Sequence, residues 1–146
     1  MDQPISSRLK FTFLLHALVS AVLGAALWLV PGRALTVLGW VDEFVMLPDS
    51  NLSIPGQTFV DPLVSRLLGA ALLALAFSSL FGWLAKNWTQ VALLVQTEAV
   101  FCLLGVLAIL AVAVTGEREM RLIAWLDLGL LALFGAAWTL AWMKRG

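Results

Sequence analysis

Apolar residues dominate four long stretches of the chain, at about 11–30, 62–85, 88–115 and 120–143. A helix needs about 20 apolar residues to cross the hydrocarbon core of a bilayer, because it rises only about 1.5 Å per residue. Each stretch is long enough. The pattern predicts an all-α fold in which residues 1–146 form a single transmembrane domain of four helices.

Short polar breaks separate these stretches. Pro31-Gly32 ends the first, Lys86-Asn87 separates the second from the third, and residues 115–119 separate the third from the fourth. Proline interrupts the helical hydrogen-bond ladder, and short connections make neighbouring helices antiparallel. We therefore predict an integral membrane four-helix bundle that runs up, down, up and down.

The first connection is much longer and has two parts. Within about 33–47, apolar residues recur at helical spacing: Ala34, Val37, Leu38, Val41 and Val45. This part is too short to span, and it predicts an amphipathic helix lying in the membrane interface. The polar residues that follow, with Pro48, Pro55 and Gly56, predict an irregular loop, which is either a plain connector or a lid.

Composition narrows the class of protein. The sequence is 62% hydrophobic and only 12% charged, whereas soluble domains contain roughly 25% charged residues. The formal net charge of zero argues against a nucleic-acid partner. Cys102 is the one cysteine, which excludes an internal disulfide. We find no catalytic constellation or metal-binding motif, and the lipid bilayer is the clear partner.

The start of the chain also has features of a signal peptide. Arg8 and Lys10 precede the apolar run, and Gly24-Ala25-Ala26 is similar to a cleavage site. The run continues to Val30, which is longer than a signal peptide needs. We therefore expect a retained helix.

The distribution of Lys and Arg predicts the orientation. An even number of helices puts both termini on one side, together with Lys86. That side carries five basic residues and the other three, namely Arg8, Lys10, Lys86, Lys144 and Arg145 against Arg33, Arg118 and Arg121. We predict a multi-pass protein of the cell membrane with both termini cytoplasmic. Tryptophans should mark the two interfaces, with Trp28 and Trp40 outside and Trp83, Trp88, Trp138 and Trp142 inside.

Small residues predict where the helices meet, because helices in lipid associate by close packing. Ser20 and Gly24 are four residues apart in the first stretch. Gly69-Ala70-Ala71 lies in the second, and Gly135-Ala136-Ala137 lies in the fourth. The same small-residue faces are suited to contacts with other subunits.

Four ionisable residues fall inside the predicted spans, and such residues are functional candidates: His16, Arg66, Glu98 and Asp127. Arg66 lies about 6 Å and Asp127 about 10 Å from the outer end, while Glu98 lies near mid-bilayer. We expect Arg66 to pair with Asp127, Glu98 or both, either to fix helix register or to form a proton or ligand site. Alternatively, Arg66 reaches the outer headgroups.

His16 lies on a polar stripe with Thr12, Ser20 and Gly24 that should face the bundle. A hydrogen-bonded core histidine is the simple interpretation. A ligand to a metal, haem or chlorophyll is the alternative, and the cofactor stays unknown. Glu98 and Cys102, four residues apart, should share one helix face.

Two segments resemble the DoxX-like group of small four-helix bacterial membrane proteins: LHALVSAVLGAALWLVPGRALTVLGW and DPLVSRLLGAALLALAFSSLFGWLAK. The similar features are Pro31, Gly39, the Arg66-Leu67-Leu68-Gly69 run and Trp125. The resemblance implies a compact bundle in the cytoplasmic membrane, and some members are linked to quinol-oxidising or redox complexes. Glu98 and the long first connection do not match that group.

These observations favour a non-catalytic membrane protein that acts as an accessory subunit of a larger complex or as a homo-oligomer. One alternative is a small proton-coupled transporter that uses Glu98. Another is a redox, quinone-binding or pigment-binding subunit that uses His16 or Arg66. A dry ion cluster would favour the first hypothesis, and a water-filled cavity at Glu98 would favour the transporter.

Overall fold

The computed structural model describes residues 3–48, 50–116 and 120–144. Five α-helices dominate it, namely α1 (Ser7–Leu29), α2 (Pro31–Val37), α3 (Pro62–Leu84), α4 (Ala92–Thr115) and α5 (Leu122–Met143). All except α2 are long and apolar enough to cross a membrane. The predicted all-α, four-helix membrane fold is confirmed, and the chain is a multi-pass membrane protein.

Local sequence signals fix the ends of the long helices. Ser6 caps α1 by accepting a hydrogen bond from the Leu9 amide, at 3.3 Å. The Asp61 carboxylate caps α3 by accepting from the Leu63 amide at 2.8 Å, directly before Pro62 at the first helical position. Helix α4 ends at Gly116, whose φ of 66° lies in the left-handed region that favours glycine.

The long helices associate as two pairs. Helix α1 packs along α3, and α4 packs along α5; the pairs then meet through α1 with α5 and α3 with α4. Gly24 and Gly69 allow α1 and α3 to approach closely. A Cβ atom added to Gly69 would lie 2.8 Å from the Gly24 carbonyl oxygen. Two of the small residues predicted to mark this contact, Gly24 and Gly69, do lie in it, whereas Ala71 is exposed.

Residues 3–6 lie beside the turn between α3 and α4, and we call this end of the bundle the terminal end. The Ile5 amide donates to the Lys86 carbonyl at 3.2 Å, and the Trp88 amide donates to the Gln3 carbonyl at 2.9 Å. Trp88–Gln90 form a 3₁₀ turn, so α4 begins at Ala92 rather than at 88. Residues 3–6 and the Lys86 turn therefore share one end.

The best-packed core lies towards the terminal end. It contains Ile5, Leu9, Phe13, Val91, Val95, Ala99, Cys102, Phe134 and Trp138. Trp138 is fully buried, with its ring centroid 4.8 Å from that of Phe13. The prediction that Trp138 belongs to an interfacial belt is therefore wrong, because its face of α5 is turned towards α1.

The first connection differs from its prediction. Helix α2 ends at Val37, and strands β1 (Phe44–Met46) and β2 (Ser53–Pro55) form an antiparallel hairpin in which Val45 lies opposite Ile54. The interfacial helix predicted at 33–47 is thus wrong beyond Val37. Gly39 ends it, with a φ of 74°, and this left-handed turn lets the Trp40 amide bond back to the Leu35 carbonyl.

The hairpin, α2 and the 3₁₀ turn Gly56–Phe59 lie at the opposite end of the bundle, which we call the loop end. Arg121, at the start of α5, donates to the Asp42 carboxylate at 2.9 Å. This exposed ion pair joins the first connection to the beginning of the last helix.

Candidate functional site

A buried polar cluster joins three of the four long helices. His16 comes from α1, Ser79 from α3 and Glu98 from α4. The Ser79 hydroxyl lies 2.8 Å from His16 Nδ1 and 3.2 Å from Glu98 Oε1. Ser79 and Glu98 are fully buried, and His16 is only 5% exposed. The structure therefore brings two of the predicted site residues, His16 and Glu98, into one site.

Helical spacing places each member on an inward face. On α1, His16, Ser20 and Gly24 are all buried, as the polar stripe predicts, while Thr12 is only half-buried. On α4, Glu98 and Cys102 share a buried face, again as predicted. Ser79 was not predicted. Its signal is the spacing of the buried small residues of α3, at Ser65, Gly69, Ala76, Ser79 and Gly82.

Ser79 hydrogen-bonds to both other members of the cluster. Where its hydroxyl donates to an ionised Glu98 Oε1, its oxygen accepts from His16 Nδ1–H. Ser78 donates a second, longer hydrogen bond to Glu98 Oε1, at 3.4 Å. One carboxylate oxygen therefore accepts two hydroxyl protons, which is an unusually polar environment for the inside of a membrane helix bundle.

The remaining contact joins the imidazole to the second carboxylate oxygen. His16 Nε2 lies 3.6 Å from Glu98 Oε2 and 3.4 Å from the Ser20 hydroxyl. A neutral histidine with a protonated glutamate, or an imidazolium with a carboxylate, carries no net charge, and either arrangement would avoid the cost of an isolated charge in an apolar medium.

Helix α5 contributes an aromatic wall to this site. The rings of Phe134 and Trp138 meet the His16 ring edge to face, with centroids 4.9 Å and 5.7 Å away. Among the described residues, two buried side-chain atoms have no hydrogen-bond partner, Glu98 Oε2 and Trp138 Nε1. Helices α1, α3, α4 and α5 therefore all contact the cluster.

Serine, histidine and glutamate are also the residue types of a hydrolytic triad. Here the Ser79 hydroxyl is fully buried and is hydrogen-bonded to both His16 and Glu98. A substrate carbonyl carbon has no approach to that oxygen. The arrangement is therefore suited to holding three helices together, and not to nucleophilic attack.

Arg66 does not join the other predicted site residues. Its Nε donates to the Trp28 carbonyl oxygen at 3.3 Å, and its side chain is exposed. The expected pairing with Asp127 or Glu98 is wrong, because α3 packs on α1 and the guanidinium meets the end of that helix. The last carbonyl groups of a helix have no intrahelical partner, so they attract such a donor.

Asp127 forms a second, separate polar contact at the loop end. Its Oδ2 accepts a hydrogen bond from the Trp40 indole nitrogen at 2.9 Å. This contact was not predicted, because the predicted helix at 33–47 gave no reason for Trp40 to turn inwards after Gly39. Asp127 is half-buried and lies at a distance from the His16 cluster along the bundle.

A cavity of about 200 Å³ lies beside Asp127, between the two helix pairs. Every helix contributes to its wall, which consists of Leu23, Leu27, Leu35, Leu38, Trp40, Leu68, Leu72, Phe101, Gly105, Ile109, Asp127, Leu130 and Leu131. His16 and Glu98 do not line it. The bundle is thus closed around a polar cluster towards the terminal end, and a partly open apolar pocket lies nearer the loop end.

Within the described parts of the chain, no three His, Cys, Asp or Glu side chains are grouped as metal ligands. Both ring nitrogens of His16 already face polar side chains, so neither points its lone pair at an open site. The chain matches no protein-family model, no curated protein and no solved structure.

Proposed function

We propose that this protein is a non-catalytic membrane module that acts by assembling, either as an accessory subunit of a larger complex or as a homo-oligomer. The observation that supports this most is the closed His16–Ser79–Glu98 cluster. Ser79 hydrogen-bonds to His16 and Glu98, and Glu98 Oε2 lies 3.6 Å from His16 Nε2, so the three side chains link three helices and favour one helix register. A polar network of this kind specifies one packing arrangement of a bundle.

The proposal also concerns the membrane in which the protein lies and the orientation of its termini. The basic residues favour the cell membrane with both termini cytoplasmic, since five lie on the terminal side and three on the other. Residues 3–6 pair with the Lys86 turn at one end of the bundle, which is consistent with that count. The DoxX-like relation, which also implies a cytoplasmic-membrane bundle, remains a proposal based on the two segments quoted above.

The two alternatives find less support in the site. A proton-coupled transporter would have to bring water to Glu98, and that side chain is fully buried beneath Ser78, Ser79 and His16. A haem or pigment would have to take a ring nitrogen of His16 away from Ser79 or Glu98. The closed cluster therefore favours the module.

The size of the extracted particle tests the proposal. The chain should be released from its native membrane in a mild detergent and analysed by light scattering corrected for detergent. We expect a protein mass clearly above the 15.8 kDa of one chain, or a second protein that stays bound. A monomer of 15.8 kDa that carries protons across liposome membranes would contradict the proposal and support the transporter.

A further inference from the structure

Arg66 carries a positive charge inside the span of α3. The helix begins at Pro62, so Arg66 lies four residues, or about 6 Å, along it. Arg66 is exposed, and its neighbours Leu63 and Leu67 are 65% and 60% exposed. The exposed surface of a spanning helix faces lipid, and an arginine does not lose its charge. A permanent charge therefore lies at the edge of the hydrocarbon layer.

The protein supplies only part of a counter-charge to Arg66. Its Nε donates to the Trp28 carbonyl oxygen at 3.3 Å, in the last turn of α1, where the helix dipole is partly negative. Among the described residues, no carboxylate forms an ion pair with Arg66. The acidic residue nearest in sequence, Asp61, directs its carboxylate at the Leu63 and Val64 amides, at 2.8 and 3.3 Å. A full counter-charge therefore has to come from outside this part of the chain.

The contact with Trp28 also orients the guanidinium group. Its Nε edge is turned towards α1, and its two Nη atoms have no hydrogen-bond partner in the described parts of the chain. Guanidinium donors match the oxygens of a phosphate group in spacing and charge. Trp28 is 47% exposed, and tryptophan is a residue type that lies at the level of lipid headgroups. The unused donors of Arg66 therefore lie at the depth where lipid phosphates are found.

We propose that Arg66 and the end of α1 form a binding site for the phosphate group of an anionic phospholipid, in the leaflet at the loop end. The Nη atoms donate to the phosphate oxygens, and the acyl chains lie along the exposed leucines of α3. Charge complementarity selects phosphatidylglycerol, which carries a net negative charge, over phosphatidylcholine, whose own ammonium group balances its phosphate. This site is separate from the His16–Ser79–Glu98 cluster and does not depend on the function of that cluster.

Native mass spectrometry of the full chain in detergent tests the proposal. Dioleoyl phosphatidylglycerol and dioleoyl phosphatidylcholine are titrated separately, since they share acyl chains and differ in headgroup. We expect the first phosphatidylglycerol to bind about fivefold more tightly than the first phosphatidylcholine, which is the effect of one basic residue at an anionic lipid surface. A large excess of inorganic phosphate should leave the lipid bound. Displacement of the lipid would assign the site to free phosphate and overturn the proposal.

Two variants assign the site. Arg66→Gln removes the charge and keeps a polar side chain, and it should bring the affinity for phosphatidylglycerol down to that for phosphatidylcholine. Arg33→Gln is the matched control, because Arg33 is also exposed at the loop end, forms no ion pair with a described residue and lies in α2, outside the spans. It removes the same charge and should keep the lipid preference.

Three results would contradict this assignment. Equal affinity of the unaltered chain for the two lipids would overturn the proposal without any variant. A lipid preference that survives in Arg66→Gln would place the site elsewhere. An equal loss in Arg33→Gln and Arg66→Gln would show attraction to the net charge of the loop end rather than a site at Arg66.

Discussion

His16 Nε2 and Glu98 Oε2 lie 3.6 Å apart, on two helices that belong to different helix pairs. Helix α1 packs mainly on α3 and α4 mainly on α5, so this contact joins the two halves of the bundle. Ser79 reinforces it from α3, with hydrogen bonds to both residues. The few polar groups inside the bundle therefore act where apolar packing between helices is least extensive.

Replacement of Glu98 should destabilise the bundle in proportion to the hydrogen bonds that are lost. Glu98→Leu removes the acceptor of Ser78 and Ser79 and the partner of His16, which we expect to cost about 1–3 kcal/mol. Glu98→Gln keeps a carbonyl oxygen for the serine hydroxyls and should cost clearly less. Unfolding in mixed micelles, followed by circular dichroism, measures both losses.

The double variant His16→Leu with Glu98→Leu tests whether the two side chains stabilise the bundle through their contact with each other. Interhelical hydrogen bonds in membranes average about 0.6 kcal/mol and reach about 1.7 kcal/mol. The double variant should therefore lose less stability than the sum of the two single variants, by an amount in that range. Leu103→Ala, at an exposed position of the same helix, is the control. Strictly additive losses would show that His16 and Glu98 do not interact.

Substitution of glycine by alanine should destabilise the bundle only where another helix lies close to the glycine. Gly69→Ala should separate α1 from α3, because the new Cβ would lie 2.8 Å from the Gly24 carbonyl oxygen and 2.9 Å from the Trp28 backbone nitrogen. Gly129→Ala is the matched control, since nothing lies within 4 Å of its added Cβ. Alanine is better than glycine in a helix by up to about 1 kcal/mol, so the control should hold or gain stability. Equal thermal stability of the two variants would argue against the close crossing.

Arg66 and Asp127 should behave as independent residues. The first contacts the end of α1 and the second contacts Trp40, with no shared partner. Losses from Arg66→Leu and Asp127→Leu should therefore add within about 0.5 kcal/mol in the double variant. A recovery of more than about 1 kcal/mol in denaturant unfolding would mean that the two side chains pair after all.

Reporter fusions test the proposed orientation. Alkaline phosphatase folds only outside the cytoplasm, so fusions after Gly146 or at Lys86 should be inactive. Fusions near Ser53 or Gly116 should be active. The reverse pattern would place the termini outside and would require a different explanation for the basic residues at the terminal end.

The four helices could be predicted from sequence because length and apolarity alone decide whether a helix can span a bilayer. The inward direction of His16 and of the Glu98–Cys102 face followed from helical spacing. The small residues Gly24 and Gly69 likewise indicated a close helix contact. Each of these features depends on residues within one helix.

The predictions that failed depend on which helices become neighbours. Depth along the bundle suggested that Arg66 meets Asp127 or Glu98, but depth does not say which side of α3 faces which helix. Tryptophan is a residue type that is common at membrane interfaces, yet the face of α5 that carries Trp138 is turned inwards against Phe13. Periodicity suggested a helix at 33–47, but one left-handed residue, Gly39, ends α2 and turns Trp40 towards Asp127.

The central claim is that Glu98 is sealed inside the bundle and has a structural role. Treatment of membranes with a hydrophobic carbodiimide, followed by mass spectrometry of the peptides, tests it most directly. Asp127 is only half-buried and serves as the internal control for a more accessible intramembrane carboxyl group. We predict that Asp127 is modified while Glu98 is not. Modification of Glu98 to the same extent as Asp127 would contradict the claim and place Glu98 on an open pathway.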